Sequence, residues 1–154
     1  MKSTKENTID TLNDLIKINN DRIMGYEKAS EKTDLIDGDL QILFNRMIRE
    51  SKGYVEELSE HVSNLGGSVE TGTTFPGKIY RTWMDVKNTF TGKDRKSILE
   101  SCEYGEDAAQ KAYDDALGDD DLDTDLRSVI IKQKSELLQS HNVIRGYRDA
   151  ARIL

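Results

Sequence analysis

Residues 39–67 read DLQILFNRMIRESKGYVEELSEHVSNLGG, and their apolar spacing decides the fold. Leu40, Phe44, Met47, Ser51, Tyr54, Leu58, His61 and Leu65 recur at alternating steps of four and three, one face of an amphipathic helix in a nearly unbroken heptad. Gly66-Gly67 supplies the stop signal that follows many helix C-termini. A helix over about 39–65 follows, long enough to cross a bundle but too polar on its other faces to stand alone.

Working outward, three more stretches carry the same period. Upstream, Ile9, Leu12, Ile16, Ile23 and Glu27 predict a helix over about 8–31, interrupted on that face by Asn19 and Asn20. Thr33, Asp34, Asp37 and Gly38 form the turn into the second helix. Downstream, Leu99, Cys102, Glu106, Ala109, Tyr113 and Ala116 mark a helix over about 94–117, with Asp94 as its N-cap. Leu126, Ile130, Gln133, Leu137, His141 and Ile144 mark a fourth over about 121–151. Between the second and third lies a different segment, 66–93, with five of the eleven glycines and the only proline, Pro76. Within it 78–90 has the makings of a short extra helix around Ile79, Trp83 and Val86.

The order long, long, extended connection, long, long predicts a single all-α domain over 1–154. Short turns make each flanking pair antiparallel, and the long connection can cross the length of the bundle. The expected fold is therefore a ferritin-like up-down-down-up four-helix bundle with a crossover containing a short extra helix. A plain up-down-up-down bundle with a decorated loop is the alternative.

Composition narrows the function. The net charge of −7 argues against nucleic acid or an anionic membrane as partner, since both demand basic patches. No apolar run approaches the roughly 18 residues of a membrane span. The polar start, Met1 to Asn7, lacks the apolar core of a signal peptide. One cysteine makes no internal disulfide, so a cytoplasmic setting is expected.

Each helix puts a polar or ionisable group on the stripe that should be buried, where an unpartnered carboxylate costs several kcal/mol or takes up a proton. Glu106 and Gln133 fall near mid-bundle with Asn19 or Asn20 and Glu50. Three readings fit: a cofactor layer, a hydrogen-bonded layer that fixes helix register, or a rotation that leaves the acids at the core edge. His141 reads either as a metal ligand or as a neutral core histidine bonded to Glu27 or Tyr26.

The pieces Asn20-Asp21-Arg22-Ile23-Met24-Gly25-Tyr26-Glu27-Lys28-Ala29, Leu65-Gly66-Gly67, Arg81-Thr82-Trp83-Met84-Asp85, Glu103-Tyr104-Gly105-Glu106-Asp107-Ala108 and His141-Asn142-Val143-Ile144-Arg145 stand in order. Together they resemble an uncharacterised bacterial family of ferritin-like four-helix proteins, catalogued as a domain of unknown function. The resemblance covers nearly the whole chain. It implies the fold and a bacterial cytoplasmic protein, and it brings no activity, substrate or cofactor.

Di-iron enzymes of the ferritin-like class need a Glu-x-x-His pair on each of helices 2 and 4. Here Glu50 is followed three residues on by Gly53, and His141 is preceded three residues back by Leu138, so neither pair exists. An oxidase is the least favoured class. A non-standard site for Fe, Mn or Zn remains open, with Glu27, Glu50, Glu103, Glu106 and His141 as candidate ligands. No catalytic residue and no cofactor-binding motif is assigned.

Asp121, Asp123 and Asp125 alternate as in a calcium loop, but Leu126 and Lys132 stand where that loop needs Gly and Glu. They fit better as N-cap and first-turn charge for the fourth helix. Cys102 reads as a small core residue. Tyr80, Trp83 and Met84, flanked by Lys78, Arg81 and Lys87, make an aromatic and basic patch whose use as a partner surface would take the form of a homodimer. The expected function is a small structural or interaction module, stress-related in one version, with a divalent-metal protein as the alternative.

Overall fold

The computed structural model describes residues 3–33, 37–72 and 95–153. Among them are four helices and no strand: α1 (Thr4–Lys32), α2 (Gly38–Asn64), α3 (Arg95–Leu117) and α4 (Thr124–Ile153). The predicted short helix over 78–90, the Asp94 cap and the Tyr80-Trp83-Met84 patch lie outside the described residues. No described helix is long and apolar enough to cross a membrane.

Local chemistry sets the helix ends. α1 begins earlier than its apolar pattern, because Ser3 caps it: Ser3 Oγ accepts from Glu6 N at 3.1 Å, and the Ser-x-x-Glu spacing is that of a capping box. α2 ends on Gly66 at φ 80°, with Gly67 N donating to Val62 O at 3.0 Å and Gly66 N to Ser63 O at 2.9 Å, the Schellman arrangement. α4 begins at Thr124, and Asp123 Oδ1 accepts from Leu126 N at 2.8 Å, so one aspartate of the acidic turn is the cap. That turn is anchored to α1 by Asn7 Nδ2 to Asp121 Oδ2 at 2.8 Å and Thr11 Oγ1 to Asp119 Oδ2 at 2.6 Å.

α1 packs against α2 and α3, and α3 against α4. The stripes expected for α3 and α4 are all buried, as are Leu40, Phe44, Met47, Ser51, Tyr54 and Leu58 of α2. The α1 stripe needs correcting. Its core row is Thr8, Leu12, Leu15, Asn19, Arg22, Tyr26 and Ala29, a strict four-three alternation turned from the expected face. Ile23 is only half-buried and Glu27 is exposed. Leu12 and Ile16 of the expected stripe are fully buried, so the apolar residues found part of the buried face and missed its continuation through Arg22 and Tyr26.

The apolar core is divided in two. One cluster gathers Leu12, Leu15, Leu58, Tyr113, Leu126 and Ile130; the other gathers Tyr26, Phe44, Met47, Leu99, Cys102 and Ile144. Asn19 and Arg22 on α1, Glu50 and Ser51 on α2, and Glu106 on α3 fall between the two clusters along their helices. On α4, Ser140 and His141 occupy the corresponding place.

Candidate functional site: a buried arginine layer

Arg22 lies at the centre of this layer with 1% of its surface exposed. Its Nε donates to Glu106 Oε1 at 2.8 Å, and its Nη1 to Ser51 Oγ at 2.8 Å and Met47 O at 3.3 Å. Its Nη2 is 2.9 Å from Glu50 Oε1. The guanidinium also stands 5.4 Å from the centre of the Tyr26 ring, within cation–π range. A planar five-donor fork suits this position better than a lysine point charge would, because its acceptors come from two helices at different angles.

From Arg22 the bonding continues across the bundle. Ser51 Oγ donates to Asn19 Oδ1 at 2.9 Å, and Asn19 Nδ2 donates to Tyr113 OH at 2.9 Å. Tyr113 OH donates to Gln133 Oε1 at 2.7 Å, and Gln133 Nε2 to Glu57 Oε1 at 2.7 Å. Tyr26 OH donates to Glu106 Oε1 in a short bond. Ser140 Oγ lies 2.9 and 3.0 Å from the two Glu50 oxygens. All four helices are tied into one network, and each shared partner constrains the register of its helix.

Electrostatics follow the geometry. Burial opposes the charge on Arg22, but Glu106, Tyr26 and Glu50 outweigh it and raise its pKa further above an already high value. Burial, then Glu106, pushes the Tyr26 hydroxyl and the Cys102 thiol well up, so both stay protonated. Burial also raises Tyr113. A thiol so placed is a poor nucleophile. Most donors and acceptors here are satisfied within the protein. Among the described residues, Glu103 Oε2 and Glu106 Oε2 are buried without a hydrogen-bond partner.

The five candidate ligands are not brought to one point. Glu50 and Glu106 converge on Arg22. Glu103 pairs instead with Arg148 on α4. His141, 4% exposed, places Nε2 2.5 Å from Asp107 Oδ1, with Arg145 Nη2 3.4 Å from Nδ1. Its partner is thus neither Glu27 nor Tyr26. Glu27 lines a groove of about 390 Å³ between α1 and α2 with Ser30, Glu31, Asn45, Ile48 and Lys52. Among the described residues no three His, Cys, Asp or Glu side chains are grouped to hold an ion.

The ligand set of a di-iron bundle does not fit this interior, since a guanidinium already lies between the two carboxylates that would face the metals. The residue that composition and apolar periodicity missed is Arg22. Its signal was its place in the four-three row between Asn19 and Tyr26, visible once polar residues are admitted to that row.

The sequence profile of a family described as "Domain of unknown function (DUF2383)" matches residues 7–119. No curated protein matches the chain.

Proposed function

This chain belongs to the DUF2383 family, and from that premise we propose that it is a structural or interaction module built as a ferritin-like bundle with an arginine in place of a metal. The observation that carries the reading is Arg22 held between Glu50 and Glu106, where one fixed cation balances the charge that would otherwise recruit an ion.

The up-down-down-up course is supported by how side-chain pairs progress. Asn19–Tyr113 and Arg22–Glu106 rise along α1 while falling along α3. Asn19–Ser51 and Arg22–Met47 do the same for α1 and α2. Glu50–Ser140, Tyr54–Glu136 and Glu57–Gln133 set α4 opposite to α2. The crossover reading gains from its first residues: Asn13 bonds Ser68 O at 3.0 Å and Asn20 bonds Gly72 O at 2.8 Å, so the chain leaves α2 by running along α1. A bacterial cytoplasmic setting is part of the reading, supported by a single cysteine that is buried and free.

A second reading, a divalent cation on α3, is favoured by the two buried, unpartnered oxygens of Glu103 and Glu106. One experiment separates them: metal content by mass spectrometry of untagged protein, before and after incubation with iron, manganese and zinc, with thermal melts in chelator. The structural reading expects no stoichiometric ion and an unchanged melt. An ion bound one-to-one and lost on Glu106→Gln would overturn it and restore the metal class with Glu27, Glu50 and His141 as further candidates.

A further inference from the structure

The outward row of α2 reads Ile42, Arg46, Arg49, Gly53, Glu56, Glu60, at steps of four, three, four, three and four. All six are exposed, Ile42 at 72%. None of the four charged side chains forms a hydrogen bond or ion pair among the described residues. Glycine in a helix interior is unfavourable, because it adds backbone entropy to the unfolded chain and offers no side chain. Nothing lies within 4 Å of a Cβ built at Gly53, so no contact inside this chain requires a glycine there.

The row has a symmetry of its own. Arg46 stands seven residues before Gly53 and Glu60 seven after; Arg49 stands four before and Glu56 three after. Cations occupy one arm and acids the other, with the glycine between. An antiparallel copy laid along this row, with its two-fold axis at Gly53, sets Arg46 against Glu60 and Arg49 against Glu56, twice each. The missing side chain at the crossing lets the two backbones approach closely. Self-complementarity of this kind is what a two-fold interface demands.

We infer that the outer face of α2 is a homodimer seam whose occupant is a second copy of this chain, antiparallel and centred on Gly53. The contact is polar and its pairs are exposed, so it is modest in strength and weakened by salt. It rests on residues of α2 alone and does not depend on the role of the core.

Sedimentation velocity of the full chain at high concentration, in about 20 mM and about 0.5 M salt, tests it. The expected result is a dimer that dissociates in high salt. Arg46→Glu and Glu60→Arg each weaken the dimer about tenfold or more by opposing like charges, and the double variant restores it. Gly53→Ala raises the melting temperature of the monomer while weakening the dimer, a combination that a purely structural glycine does not give. Circular dichroism checks that each variant is folded. A monomer in both salts overturns the inference. So does a dimer indifferent to these four variants, which would place the contact elsewhere.

Discussion

Arg22 Nε donates to Glu106 Oε1 at 2.8 Å, joining α1 to α3 where the two residues are 1% and 0% exposed. Removing one partner from such a pair leaves a buried charge uncompensated, whereas removing both with good packing is often nearly neutral. Arg22→Met should therefore destabilise by about 3–5 kcal/mol. Arg22→Met combined with Glu106→Leu should recover much of that loss. Urea denaturation of the two single variants and the double measures the coupling, and additive effects would show that the pair is not a unit.

Tyr113 is the link between Asn19 and Gln133. Tyr113→Phe keeps the ring but removes an acceptor from the Asn19 amide and a donor from the Gln133 carbonyl. The expected cost is about 1–3 kcal/mol by denaturant titration, the penalty for leaving buried polar groups unpaired. A neutral result would mean that water replaces the hydroxyl there.

Gly67 at the exit of α2 touches α1. A Cβ built on it falls 2.8 Å from Ile9 Cγ2 and 3.0 Å from Ile9 Cδ1. Gly67→Ala should cost about 1–3 kcal/mol from overpacking, with less added when Ile9→Ala is also present. Gly66→Ala should cost about 1–2 kcal/mol for a different reason, its φ of 80°, and Ile9→Ala should not relieve it. Melting curves of these single and paired variants separate the two causes.

Stability should fall steeply at alkaline pH. Burial, then the Glu106 charge, raises the folded-state pKa of both Tyr26 and Cys102, and burial raises that of Tyr113. Between their ordinary values, near 9 for the thiol and 10 for the phenols, and those raised values, the folded chain holds protons that the unfolded chain has released. Stability is thus full below about pH 9 and is lost above it, by about 1.4 kcal/mol per pH unit for each group once past its ordinary value. Chemical denaturation between pH 8 and about pH 11 reads the slope. Cys102→Ala should make it shallower by one group's share.

The stripes of α2, α3 and α4 were legible in the sequence because their apolar residues outnumber the polar ones and hold the helical period. α1 was legible in part: Leu12 and Ile16 are buried as expected, while Ile9 and Ile23 are half-buried and the row continues instead through Asn19 and Arg22. Glu106 and Gln133 were legible as polar groups at mid-bundle. Their partners were not, because hydrogen bonds between α1 and α3, or α3 and α4, join residues 84 and 20 positions apart. Likewise His141 could be placed on the core face, yet Asp107 as its partner follows only from how α3 is rotated against α4.

The sequence by itself determined four amphipathic helices, their ends within a few residues, and the presence of polar groups on their inner faces. These depend on local spacing, capping and turn chemistry, which act over one or two turns. Tertiary structure alone decided that the Arg22 guanidinium meets both Glu50 and Glu106. Charge compensation in a buried layer is a property of three helices at one height, and it becomes visible only when they are packed together.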